Sequence, residues 1–153
     1  MKWLKFVIPI AVIVFFSCKN RTNPYRNNLH LKPSYIAQID IKNYSNIEWL
    51  DTLRDFGTIK KGDSVQLSFK YKNTGDKPLF ISEVQTFYGC TNIRYSEEPV
   101  FSGETGTFSV TFQSGHYSGL VNKKIFVASN SNNGTEHYLW VKGFVTPADS
   151  VKH

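Results

Sequence analysis

From Ile47 onward, apolar and polar residues alternate with a period of two. Val65, Leu67, Phe69 and Tyr71 are interleaved with Gln66, Ser68, Lys70 and Lys72. Phe108, Val110 and Phe112 are interleaved with Thr107, Ser109, Thr111 and Gln113. Each stretch predicts a strand with one buried and one wet face. Leu79-Phe80-Ile81, Ile125-Phe126-Val127 and Tyr138-Leu139-Trp140-Val141 are shorter runs rich in aromatic and β-branched residues, and read as further strands. Turn-forming residues separate them at Lys61-Gly62-Asp63, Asn73-Thr74-Gly75-Asp76, Ser102-Gly103-Glu104, Ser118-Gly119 and Ser129 to Gly134. No stretch here carries the period of a long helix. About six or seven short strands within roughly 100 residues predict an all-β chain, an immunoglobulin-like antiparallel β-sandwich of about seven strands.

Single residues sharpen this outline. Asn73-Thr74-Gly75-Asp76 suits a tight hairpin, because Asn and Gly tolerate positive φ. Pro78 precedes Leu79, a strand start being one of the few places a sheet admits proline. Gly57 and Gly143 fall inside strands, which implies a bulge or a close backbone approach.

Before Ile47 the pattern changes. Lys2 and Lys5 precede an apolar run from Phe6 to Phe16, then Ser17-Cys18-Lys19-Asn20. The run is shorter than the roughly 20 apolar residues a membrane span takes. A basic start, a short apolar run and a small residue before a cysteine read as a lipoprotein signal peptide over residues 1–17, cut before Cys18. Phe15 and Phe16 are bulkier than is usual there, and Ser17 fits. Cys18 is thus the expected lipidation site. Residues 18–46 are the expected lipid-anchored tether: residues 19–33 are polar and asparagine-rich, with two prolines. Within it, residues 34–46 suit a short helix or an extra strand equally. The folded domain is expected over residues 47–146, with residues 147–153 as a C-terminal tail.

Removing 17 of 153 residues leaves 136, one ordinary domain and a tether. That mature chain keeps 16 of the 18 Lys and Arg and all 12 Asp and Glu, a net charge of +4. No run of five like charges occurs, so a nucleic-acid partner is not expected. The chain has two cysteines; with Cys18 acylated, Cys90 has no partner within the chain.

The resemblance to a known family rests on several stretches in order. They are Asp55-Phe56-Gly57-Thr58-Ile59-Lys60-Lys61-Gly62-Asp63, Phe69 to Leu79 including Asn73-Thr74-Gly75-Asp76-Lys77-Pro78, and Gly89-Cys90-Thr91. Glu98-Pro99-Val100, Ser102 to Gly106, Gly119, Lys123-Lys124, Ser129-Asn130 and Lys142-Gly143-Phe144-Val145 complete it. Together they resemble the domain of unknown function 1573 family, immunoglobulin-like domains of exported bacterial lipoproteins, over about residues 47–146. The resemblance implies a β-sandwich and no particular chemistry. The family commonly has Cys-Gly-Cys-Thr where this chain has Tyr88-Gly89-Cys90-Thr91. A role needing both sulfurs is therefore closed to this chain alone.

Candidate chemistry is sparse. Nucleophilic catalysis at Cys90 would need a histidine base, and only His116 and His137 lie within the domain. A buried structural thiol is the simpler reading. A metal site needs three or four clustered ligands, which one cysteine and two scattered histidines do not supply. Glu97-Glu98 would face opposite ways on a strand, unlike paired catalytic carboxylates. Phe87, Tyr88, Tyr95, Phe101, Tyr117 and Tyr138 near loops offer a stacking platform or, more simply, core filling. Asp51-Thr52-Leu53, Asp63-Ser64-Val65 and Asp149-Ser150-Val151 match a short Asp-Ser/Thr-apolar O-glycosylation sequon.

The sequence therefore predicts no catalytic residue, no cofactor and no metal. It predicts a lipid-anchored, periplasm-facing, non-catalytic binding or scaffolding module, held to the membrane through lipid on Cys18, with an envelope protein as partner. Lys19 stands where an inner-membrane lipoprotein often has aspartate, so the expected location is the outer membrane of the cell envelope. A glycan- or small-molecule-binding accessory lipoprotein is the second expectation. A thiol-dependent enzyme at Cys90 is the third.

Overall fold

A computed structural model describes residues 32–86 and 90–147. The chain opens with a short helix, α1 (Pro33–Ile39), and a single 3₁₀ turn (Ile41–Asn43). Eight strands follow: β1 (Ile47–Trp49), β2 (Leu53–Lys60), β3 (Ser64–Asn73), β4 (Ile81–Thr86), β5 (Cys90–Arg94), β6 (Thr105–Gln113), β7 (Gly119–Ser129) and β8 (Glu136–Thr146). They form two four-stranded sheets, ordered β1-β3-β6-β5 and β2-β8-β7-β4. The expected sandwich is present, with eight strands for about seven. One pair, β2 and β8, is parallel. The bend from β1 to β2 crosses between sheets, so no hairpin forces β2 to run antiparallel.

The period-two pattern becomes the core. The register of β3 on β6 sets Val65 opposite Phe112, Leu67 opposite Val110 and Phe69 opposite Phe108. The Phe69 and Phe108 rings stack with centroids 5.1 Å apart. From the facing sheet, Ile125, Val127, Leu139, Val141 and Val145 are fully buried. Burying this much side chain in close packing is the dominant stabilising term in a domain of this size.

Both strand glycines have the expected reasons. Gly57 takes φ +69° where the β2 register breaks between Asp55 and Thr58. Gly143 lies directly against the Phe56 ring, which leaves no room for a Cβ. Phe56 in turn stacks on Phe112 at 4.9 Å.

The Asn73 turn differs from expectation. It does not close a hairpin, because β3 and β4 belong to different sheets. Among the described residues, Asn92 is the only non-glycine with positive φ, and Gly75 is not among the positive-φ glycines. Gly75 is there for space, since Ser45 and the Asn46 backbone press on it. Asn73 is fully buried and acts as a bracket. Its Oδ1 accepts from the Ser45 hydroxyl at 2.7 Å and from the Gly75 N–H at 2.9 Å. Its Nδ2 donates to the carbonyls of Lys77 and Val100.

Asn130 is a second buried bracket. Its Nδ2 donates to the carbonyls of Asn43 at 2.8 Å and Pro78 at 2.9 Å, and its Oδ1 accepts from the Phe80 N–H at 2.7 Å. Asn133 exchanges two hydrogen bonds with the Ile47 backbone. These side chains stitch residues 43–47 into the sandwich. The folded unit therefore begins well before Ile47. Residues 33–46, expected within the tether, include the helix alternative and no strand. Ser34 and Ala37 on α1 are buried.

Candidate functional site

Cys90 opens β5 opposite Phe112 and lies in the hydrophobic core, 9% exposed. Burial pushes its thiol pKa up, partly offset by the nearby Lys123 charge. A raised pKa keeps the sulfur protonated and unreactive. His137 is engaged elsewhere: its Nε2 is 3.0 Å from the Ser129 hydroxyl and its ring meets Trp49 edge-on at 5.5 Å. Burial lowers the His137 pKa. His116 is exposed in the loop between β6 and β7. Among the described residues, no three His, Cys, Asp or Glu side chains cluster as a metal site would require. Cys18, Phe87, Tyr88, His30, His153 and Asp149-Ser150-Val151 lie outside the described residues. Thr52 and Ser64, the hydroxyls of the other two sequons, are both exposed.

Of the aromatic residues expected near loops that fall among the described residues, most are engaged within the domain. Tyr117 packs on Phe112 at 5.4 Å and carries the Lys123 ammonium over its ring. Tyr95 and Phe101 are half-buried. Tyr138 is 49% exposed, and it stands on a strand.

The exposed aromatic surface is therefore a sheet face, not a loop cluster. Nine large apolar side chains are exposed among the described residues, and five of them lie on the outer face of β2-β8-β7-β4. They are Leu53, Leu120, Tyr138, Trp140 and Phe144. The register sets Leu53 and Lys124 on either side of Trp140, Phe126 beside Tyr138, and Leu120 beside Phe144. Leu120 is 88% exposed.

One ion pair is seen on this face among the described residues. Lys142 Nζ is 3.6 Å from Asp55. Lys124 makes no ion pair among the described residues. Its ammonium lies 4.6 Å from the Tyr138 ring centroid and 5.4 Å from that of Trp140. The other outer face is different in kind. There β3 and β6 present Gln66, Ser68, Lys70, Thr107, Ser109 and Thr111, with no large apolar side chain among them. Chemically, the first face can desolvate against an apolar surface and offers one central cation.

The sequence did carry a signal for this face. In Tyr138 to Val145, both alternate sets are largely apolar: Leu139, Val141 and Val145 point in, and Tyr138, Trp140 and Phe144 point out together with Lys142. A strand apolar on both sides has a surface to cover on both sides.

The family described as protein of unknown function (DUF1573) matches residues 47–145, and the chain belongs to it. A solved Porphyromonas gingivalis W83 protein of unknown function is similar in fold, with TM-score 0.59 and 15% identity. The match covers 69% of this chain and 49% of that one, so this chain spans about half that protein's length. PapD-like domain 7 of human CEP192 matches at TM-score 0.52 and 14% identity, over 70% of this chain and 89% of that one. The Vibrio cholerae VesB protease matches at TM-score 0.52 and 13% identity, over 72% of this chain and 34% of that one. These likenesses establish the fold alone. No curated protein matches the chain.

Proposed function

We propose that this DUF1573 family member is a lipid-anchored, non-catalytic binding module of the cell envelope that docks a protein partner on the outer face of β2-β8-β7-β4. One observation carries this reading: the two outer faces of the same sandwich differ, one hydroxyl-rich and one aromatic. Both would be polar if both only met water. Large exposed apolar patches on monomers mark interaction surfaces. The aliphatic Leu53 and Leu120 favour a protein surface over a sugar. Lys124 favours a partner segment with a carboxylate beside its apolar side chains. Strand addition is disfavoured, because the sheet edges are blunted. β1 has three residues, β2 carries the Gly57 bulge, and β4 and β5 both break register.

Cys18 is the proposed anchor and the inner leaflet of the outer membrane the proposed location, with the domain facing the periplasm. Among the described residues no helix is long and apolar enough to cross a membrane. The docking test places a photo-crosslinking amino acid at Leu120 or, as control, at Thr111 on the opposite face, in living cells. Adducts to a distinct protein from Leu120 alone, lost with Lys124→Glu, support the reading. Equal adducts from both positions, or adducts only to a second copy of this chain, overturn it. The anchor test is fatty-acid analogue labelling, which Cys18→Ser should abolish; unchanged labelling in that variant excludes Cys18 as the anchor.

A further inference from the structure

The hydroxyl-rich face carries a depression whose chemistry differs from that of the docking face. A shallow depression of about 420 Å³ is walled by Gln66, Ser68, Arg94, Tyr95, Ser96, Thr107, Phe108 and Ser109. No carboxylate is among these residues. The nearest acidic neighbours in sequence are engaged: Glu97 pairs with Lys32 at 2.6 Å, and Glu98 has a partner of its own. The Arg94 side chain has neither an ion pair nor a hydrogen bond among the described residues. Arg94 pairs with Ser109, which itself pairs with Ser68, so the three residues form one row across the sheet.

The backbone puts Arg94 there at a cost. β5 breaks register between Thr91 and Arg94, and Asn92 between them takes φ +49°. A bulge of this kind re-aims the side chains that follow it, and strained non-glycine backbone concentrates at binding sites. Without the break, the side chain two residues beyond Asn92 would follow the regular alternation of the β5–β6 ladder.

We propose that this depression is a binding site for an acidic saccharide of the uronic-acid class. The unpaired guanidinium offers a planar fork of donors that matches a carboxylate in two parallel hydrogen bonds. Around it, Ser68 and Thr107 supply hydroxyls that donate and accept, while Ser96 Oγ accepts from the Glu98 N–H and Ser109 Oγ from the Gln66 amide, each keeping a hydroxyl proton to donate. That mixture suits the ring hydroxyls of a sugar, which also donate and accept. Tyr95 borders the depression with its ring packed against the core and its hydroxyl donating to the Ser82 carbonyl. A bare oxyanion would use only the donors here, the guanidinium and the hydroxyl protons, and leave the acceptors idle; a neutral sugar would leave the guanidinium without a carboxylate. The site lies on the opposite face from the aromatic docking surface, so the two can be occupied together and tested apart.

The test follows backbone amide resonances of the full chain during titration with glucuronic acid, glucose and inorganic phosphate. Glucuronic acid is expected to move the amides of Arg94, Thr107 and Ser109, and glucose to bind at least about tenfold more weakly, the usual order for losing a charged hydrogen bond. Arg94→Gln should weaken glucuronic acid about tenfold or more without changing the fold, since Arg94 is exposed. Arg94→Lys, which keeps the charge and loses the fork, should also weaken it. Ser109→Ala should weaken glucuronic acid. Equal binding of glucose and glucuronic acid, binding untouched by Arg94→Gln, or phosphate binding as tightly as glucuronic acid would each overturn the proposal.

Discussion

Cys90, His137 and Gly143 show how much a single side chain's surroundings decide. Cys90 sits among apolar neighbours with its pKa raised, so a thiol reagent should label the native protein slowly and the denatured protein fast. Cys90→Ala should cost about 1 kcal/mol by chemical denaturation, as for other small truncations in a core. Rapid native labelling would put the thiol at the surface and revive the enzyme reading. His137 works through pH. Its folded pKa lies below the ordinary 6.5 because burial disfavours the charged ring. The unfolded chain therefore binds the proton more readily. Stability should be full above pH 6.5 and fall as pH drops from there through the lowered folded value. Melting temperatures measured from pH 7.5 to 5 check this, and His137→Gln should flatten the slope over that window. Gly143→Ala would set a methyl group against the Phe56 ring and push it off Phe112. The expected cost is about 1–3 kcal/mol, typical of overpacking.

At the scale of elements, the test concerns where the domain begins. A chain starting at Ile47 would remove the Asn43 carbonyl from Asn130 and the Ser45 hydroxyl from Asn73, both asparagines being fully buried. Each polar group left unsatisfied costs about 1–3 kcal/mol. The urea midpoint of that truncated chain should fall well below that of a chain starting at Lys32; equal midpoints would show that residues 32–46 contribute nothing. This boundary was hard to read for a physical reason. Strands announce themselves by alternation, and β3 and β6 were legible residue by residue. Segment 43–47 is held by side chains reaching from far along the chain, with Asn130 lying 87 residues beyond Asn43. Buried asparagine in a polar run looks like any turn asparagine. The parallel placement of β2 was hidden likewise, because it depends on a crossing between sheets and not on local pattern. The glycines at 57 and 143 were legible, since a glycine interrupting a strand pattern needs a backbone reason.

The described sandwich has two unlike faces, and they follow from its topology. Putting β8 between β2 and β7 brings Leu53, Trp140 and Lys124 into one row, although they are widely spaced in sequence. That gathering is why loop aromatics were the sequence's best candidates and strand aromatics the structure's. If the aromatic face serves docking and not folding, its side chains should separate binding from stability. Trp140 is 38% exposed, so Trp140→Ala should cost far less than the roughly 3–5 kcal/mol of removing a buried aromatic such as Phe69. The same substitution should remove most of the partner adducts formed from Leu120, because Trp and Tyr carry a disproportionate share of interface energy. Leu53→Asp, on the same face, should leave the melting temperature nearly unchanged while abolishing the adducts formed from Leu120. A large loss of stability in either variant, with adducts intact in the remaining folded protein, would mean that the aromatic face is an outlying part of the core and that the docking surface lies elsewhere.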